Sequence, residues 1–117
     1  MIKYTKTYYN YYGYPLDTSV FVPSELTGLQ MVDVHHLEIG KGNKARLNAP
    51  IEKLIGLTRW EHTAYGDKPQ YQEFLEDAHS MFMGNQQPYI YVNPNHPAFD
   101  LFLDTEFKQE LLKLRNG

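Results

Sequence analysis

The short apolar run at residues 30–37 most constrains the fold, because it ends in two adjacent histidines. Its apolar positions predict a strand: Met31, Val32, Val34 and Leu37. His35 and His36 lie near the end of that strand, and His62 follows 26 residues after His36. Three histidines in two such segments can hold a metal ion beside a general base.

The segments after this strand predict an α+β fold. Residues 38–50 are punctuated by glycine, asparagine and proline, and we expect a loop there. Apolar residues then return the chain to the core: Ile51, Leu54, Ile55 and Leu57. Residues 58–65 are predicted to form a short helix closed by Gly66, so the third histidine lies on a helix.

The remainder of the chain predicts two more helices. Pro69 suits the first turn of the first of them. Its apolar residues recur at three- and four-residue spacing: Tyr71, Phe74, Leu75, Ala78 and Phe82. Residues 84–97 read as a connection with a short strand at 89–92. Residues 97–114 are predicted to form an amphipathic C-terminal helix packed on the same domain.

Six tyrosines crowd the N-terminal segment: Tyr4, Tyr8, Tyr9, Tyr11, Tyr12 and Tyr14. We expect their rings to cover the core, and the alternative is stacking on nucleobases. A turn is predicted at residues 23–28, before the strand.

Composition places the chain among single-domain globular proteins, since its 117 residues are 42% hydrophobic and 21% charged. No window approaches the roughly 18 apolar residues of a membrane span, and the N-terminus lacks the apolar run of a signal peptide. We therefore expect no membrane partner and a cytoplasmic, intracellular location. The absence of cysteine excludes disulfides and thiolate metal sites, so any metal must use histidine, carboxylate or amide ligands.

Charge is distributed unevenly around a net value of −3. Residues 1–37 carry two basic and three acidic groups, and residues 69–117 carry three basic and seven acidic groups. Residues 38–68 carry six basic and four acidic groups, a surplus of two. The basic surplus lies between the histidine segments, where a phosphate backbone would need it. The basic run at 41–46 is equally consistent with a solvated loop and with phosphate contacts.

With these residues in view, the chain resembles the His-Asn-His (HNH) endonuclease family, whose core is the ββα-metal fold. The matching segments are residues 33–37, 51–57, 58–62 and 65–71. The resemblance covers residues 1–83, which it identifies as a nuclease domain with a tyrosine-rich N-terminal segment. It leaves the connection and helix at 84–117 unassigned.

The resemblance implies hydrolysis of DNA phosphodiester bonds. His36 would be the general base that takes a proton from water. His35 and His62 would hold one divalent cation, with magnesium, manganese or nickel expected. Arg59 or a loop lysine would hold the scissile phosphate. Asp33 would orient an imidazole through a hydrogen bond.

The chain departs from the family at four cysteine positions and one asparagine. Many relatives bind a structural zinc through four cysteines, which align here with Ser24, Thr27, Thr58 and Glu61. We therefore expect no structural zinc, and expect hydrogen bonds and packing, helped by Trp60, to hold this region. Relatives also carry an asparagine where this chain has Lys53. Asn43 or Asn48 is expected to supply the missing amide, and Asn48 is placed in the catalytic set.

The loss of that asparagine leaves a rival interpretation open. The protein would then be a catalytically impaired HNH-fold module that binds DNA or a protein. A third interpretation is a protein partner, or a second copy of the chain, bound through the C-terminal helix. Outside the site, His79 is expected on the surface or partly buried, His96 in a loop, and Trp60 in the core.

Overall fold

The computed structural model describes residues 1–38, 42–101 and 113. Helices and strands follow in the order α1 (Lys3–Tyr12), β1 (Asp33–His36), α2 (Asn43–Leu47), β2 (Leu54–Leu57), α3 (Arg59–Glu61), α4 (Gln72–Asn85) and α5 (Tyr89–Val92). A π turn follows α3 at His62–Gly66, and short 3₁₀ segments lie at Ile51–Lys53, Pro69–Tyr71 and Pro97–Leu101. This mixture of helices with a two-stranded sheet confirms the α+β class. None of the described helices has the length and apolarity to cross a membrane.

The sheet pairs β1 with β2 in antiparallel fashion, with His35 opposite Ile55 and His36 opposite Leu54. Side chains alternate between the two faces of a strand. His35 therefore shares a face with Asp33, and this face meets the helix that follows β2. His36 points the other way, toward α1. Strand geometry alone thus separates the two adjacent histidines into different environments.

Two apolar clusters flank the sheet. The first gathers residues of α4, α5 and β2, including Leu75, Ile90 and Leu57. The second lies beneath α1, where Tyr8 and Tyr9 are buried. The tyrosine-rich segment thus covers the core, as the sequence predicted, and it does so as an amphipathic helix.

A buried polar network joins the two clusters through Glu25, which has no exposed surface. Its carboxylate accepts from Tyr8 Oη at 2.7 Å and from the Gly56 amide at 3.0 Å. His79 Nδ1 lies 2.7 Å from the same carboxylate, and His79 Nε2 donates to the Ile51 carbonyl at 2.7 Å. Burial by itself lowers the pKa of His79, but the hydrogen bond and charge of Glu25 outweigh it and raise the pKa. His79 is buried, so the surface or partly buried position expected for it is wrong. The ion pair with Glu25 makes this burial tolerable.

The four positions aligned with the family's cysteines converge in a second buried polar cluster. The Glu61 carboxylate accepts from Ser24 Oγ at 3.2 Å and from the hydroxyl of Thr27. It also accepts from the Thr58 amide at 2.9 Å, while Thr58 Oγ1 accepts from the Glu61 amide at 3.0 Å. This reciprocal pair is a capping box that begins α3. Hydrogen bonds hold the region, as expected.

Three local predictions are wrong. The loop expected at 38–50 contains α2, whose lysine, alanine, arginine and leucine are good helix formers. The strand expected at 89–92 is the helical turn α5, because Pro88 begins it and the next two amides bond to the 25–26 carbonyls. Trp60 is half exposed (51%), since it lies on the outer side of α3. Of the helix expected at 97–114, the structure shows a 3₁₀ segment at Pro97–Leu101, and beyond it only residue 113 is among the described residues.

Candidate metal centre

Three side chains with metal-binding atoms converge where the sheet meets the π turn. His35 comes from β1, His62 begins the π turn, and Asp67 follows it. Their nearest donor atoms all lie within 4.8 Å of one another, and the two imidazole centroids are 4.8 Å apart. The structure thus brings together the two predicted metal ligands and adds a carboxylate that the sequence analysis did not select.

The π turn places Asp67 beside His62. In an α-helix of about 100° per residue, a residue five positions later lies about 140° away around the axis. Here the Asp67 amide donates to the His62 carbonyl at 3.0 Å, which is the i→i+5 bond of a wider π turn. The Asp67 carboxylate then comes within 3.4 Å of His62 Nε2. Only an aspartate five residues after the histidine, beyond a glycine, hinted at this in the sequence.

Gly66 makes the close approach of the two imidazoles possible. A Cβ atom added at this residue would lie 2.7 Å from His62 Cδ2 and 3.3 Å from His35 Nδ1. The first distance is far inside van der Waals contact, so a larger residue here would push the imidazoles apart. The glycine predicted only to close a helix therefore also shapes the site.

Asp33 orients the His62 ring. Its carboxylate lies 3.1 Å from His62 Nδ1 and accepts two hydrogen bonds from Arg59, at 2.7 Å from Nε and 3.0 Å from Nη2. Partial burial raises the pKa of Asp33, but the hydrogen bonds from Arg59 and His62 outweigh it, so the pKa is lowered. A carboxylate at Nδ1 favours the tautomer with the proton there, which leaves Nε2 with a free lone pair facing Asp67.

His36 has the hydrogen bonding of a general base. Its Nε2 lies 2.9 Å from the Arg46 carbonyl, which can only accept, so Nε2 carries the proton. In the neutral ring, Nδ1 then keeps its lone pair. Burial lowers the pKa of His36, which favours that neutral form. Tyr4 packs edge-on against the imidazole with centroids 4.4 Å apart, so α1 forms one wall of the site.

Desolvation also keeps His35 neutral. Burial and the neighbouring His62 lower its pKa to about 4. A neutral imidazole is the form that binds metal ions, so His35 needs no deprotonation at neutral pH.

Asn48 and Lys53 make contacts in the structure other than with the imidazoles. Asn48 Nδ2 donates to the Lys44 carbonyl at 2.8 Å, and its Oδ1 accepts from Lys3 Nζ, so Asn48 ties α2 to α1. The Lys53 carbonyl accepts from the Leu37 amide at 2.8 Å. The Lys53 side chain lines a different depression, one that also contains acidic side chains: Glu38, Glu52 and Glu76.

Two open depressions give access to the histidines. One of about 200 Å³ is lined by Tyr4, Asp33 and all three histidines, and the other, of about 560 Å³, by His35, His36 and Asp67. The exposed Arg46 lines both of them, and Lys68 lines the larger. Side-chain cations therefore line both openings to the site.

Comparisons with known proteins returned no match: no protein-family model, no curated protein and no solved structure matches this chain. The function is accordingly inferred from the residues of the site, their distances and their charges.

Proposed function

We propose that this protein is a metal-dependent DNA endonuclease with a ββα-metal core of the HNH type. One observation carries the proposal. A histidine whose Nδ1 has no hydrogen-bond partner among the described residues, His36, lies in β1 next to His35, which forms a cluster of two imidazoles and a carboxylate with His62 and Asp67. A general base beside metal ligands is the arrangement that activates water for phosphodiester hydrolysis.

The donor set fits one divalent cation. Ligand atoms at about 2.1 Å from a single ion lie roughly 3.0–3.4 Å apart. His62 Nε2 and the Asp67 carboxylate already meet this spacing at 3.4 Å, and the ligand atoms of all three residues lie within 4.8 Å of one another. Two imidazoles favour manganese or nickel, and the carboxylate oxygen extends the range to magnesium.

The chain's own residues supply the proton transfer and the positioning. His36 Nδ1 takes a proton from a water molecule, whose oxygen attacks phosphorus as the bond to the 3′ oxygen breaks. The Arg46 carbonyl holds the ring in the required tautomer. Arg46, Lys68 and the exposed side of Arg59 offer charge-assisted hydrogen bonds to phosphate oxygens. When bound, a cation stabilises the charge that develops on the phosphate and on the leaving oxygen.

The rival function is a catalytically impaired module of the same fold that binds DNA or a protein. The position of Lys53 favours it, because that side chain lines a depression with three glutamates instead of pinning the loop beside His36. DNA binding without metal-dependent cleavage would select this rival. Most of the C-terminal helix proposed as a protein or self-association surface, residues 102–112 and 114, lies outside the described residues.

Nicking of supercoiled plasmid tests the proposal. Wild-type protein is expected to relax the plasmid with magnesium, manganese or nickel, and a chelator is expected to stop it. Asp67→Asn is expected to weaken metal affinity, measured by titration calorimetry, by at least about tenfold, because it removes a charged ligand. Asp77→Asn, which changes an exposed aspartate of α4, is the matched control and should bind metal normally. If neither supercoiled plasmid nor single-stranded DNA were cleaved with any of the three ions, the endonuclease would be refuted.

A further inference from the structure

Trp60 is the single tryptophan of the chain, yet it keeps half of its surface exposed (51%). Leaving the apolar surface of a large aromatic ring in contact with water is unfavourable in free energy. Trp60 lies near the candidate metal centre, where its exposed ring can contact a bound ligand.

The depression next to Trp60 combines an aromatic ring with positive charges, two features that suit nucleotide binding. It measures about 750 Å³ and is lined by the indole, Thr63, Ala64 and two exposed cations, Arg59 and Lys68. Among the described residues that line it, none is acidic. An aromatic surface between two cations fits a planar group that carries negative charge nearby.

This depression lies beside the candidate metal centre and shares a lining residue with one of its openings. Arg59 binds Asp33 through two hydrogen bonds, and Asp33 in turn contacts His62. Lys68 lines both this depression and the one that opens on His35 and His36. A ligand seated on Trp60 would therefore lie next to a phosphate placed at the histidines.

We propose that Trp60 is a stacking site for an unpaired nucleobase of the substrate, with Arg59 and Lys68 contacting its flanking phosphates. The inference rests on the proposed function, since it assumes that a nucleic-acid strand enters the metal centre. Bases inside a duplex are stacked on one another, so the indole can take only a base that is unpaired. The substrate class is thereby narrowed to single-stranded DNA, or to duplex DNA with unpaired bases near the cleaved bond.

The intrinsic fluorescence of Trp60 tests this directly, because no other tryptophan contributes. In the His36→Ala protein, which cannot cleave its ligand on this account, a short oligothymidylate is expected to quench the emission and to reach saturation. An abasic strand of equal length has the same phosphate charge without bases. It is expected to bind more weakly and to leave the emission nearly unchanged.

Substitutions of Trp60 provide a second test of the stacking site. On labelled strands followed by fluorescence anisotropy, Trp60→Ala should weaken binding of the oligothymidylate about tenfold, and Trp60→Phe less, since stacking is lost only in part. Binding of the abasic strand should not change. Circular dichroism of each variant verifies the fold, and Lys68→Gln should weaken both strands by a similar factor.

The outcomes separate this inference from the proposed function. Equal quenching by both strands, or unaltered binding of oligothymidylate by Trp60→Ala, overturns the stacking site. Normal plasmid nicking by Trp60→Ala together with no base-dependent quenching would overturn it and leave the endonuclease intact. Base-dependent quenching, with no cleavage of plasmid or of single-stranded DNA by the wild type, would support the stacking site and select the non-catalytic module.

Discussion

Replacing His36 with alanine is expected to slow metal-dependent DNA cleavage by about 10²–10⁴-fold, the usual contribution of a general base. The effect should be this large because His36 Nε2 donates to the Arg46 carbonyl, which leaves the Nδ1 lone pair to accept a proton beside the proposed metal ligands. Metal affinity, measured by calorimetry, should stay within about twofold of wild type, since His36 lies on the other face of the strand from His35.

His96→Ala is the matched control. This histidine stacks on Phe74 in the first cluster, away from the three site histidines, and its loss should leave the cleavage rate unchanged. Cleavage that survives His36→Ala at the wild-type rate would rule out the base role. A parallel loss of metal binding would instead make His36 a ligand.

Glu25→Ala is expected to lower the free energy of unfolding by about 3–5 kcal/mol, as removing one partner of a buried ion pair does. The substitution leaves three buried partners without an acceptor: Tyr8 Oη, the Gly56 amide and His79 Nδ1. It also separates the two clusters that this network joins. Urea unfolding followed by circular dichroism measures the loss.

Two variants show where that loss comes from. Glu25→Gln keeps the shape and removes the charge, so it should cost less than Glu25→Ala. Glu73→Ala removes an exposed carboxylate from α4 and should change stability by less than about 1 kcal/mol. If Glu25→Ala cost no more than Glu73→Ala, the network would contribute nothing to the fold.

The same pair makes stability depend on pH. Glu25 raises the pKa of His79 above its ordinary value, so the folded protein holds a proton that the unfolded chain releases. This stabilisation is complete below the unfolded pKa of about 6.5 and is lost as the pH rises through the folded value. The free energy of unfolding should therefore be lower at about pH 9 than at about pH 6. A His79→Gln protein should show a smaller difference.

The parts of the fold that depend on local pattern were predictable from the sequence. The apolar run before the paired histidines gave a strand, although it is shorter than the predicted eight residues. The helix after β2 follows from its capping box, and the apolar spacing after Pro69 gave α4. His35 and His62 converge because β1 pairs with β2, and the helical segment that carries His62 begins directly after β2.

The remaining features depend on tertiary contacts that no local pattern encodes. Asp67 joins the site only because a π turn replaces an α-helical one after His62. His79 has the sequence setting of an ordinary helix residue, and its burial depends on Glu25, 54 positions away. Trp60 has the large apolar side chain of a typical core residue, but it lies on the outer side of α3 and is half exposed. In each case one tertiary contact or one backbone turn outweighs the structure that the local sequence pattern favours.

A crystal of the protein soaked with manganese shows whether His35, His62 and Asp67 hold an ion, because anomalous scattering locates the ion without assuming its ligands. We expect one site, at about 2–2.3 Å from His35, His62 and Asp67, with His36 unbound and its Nδ1 facing the space beside the ion. An ion bound by His36, or soaked crystals with no ion between His35 and His62, would contradict the account.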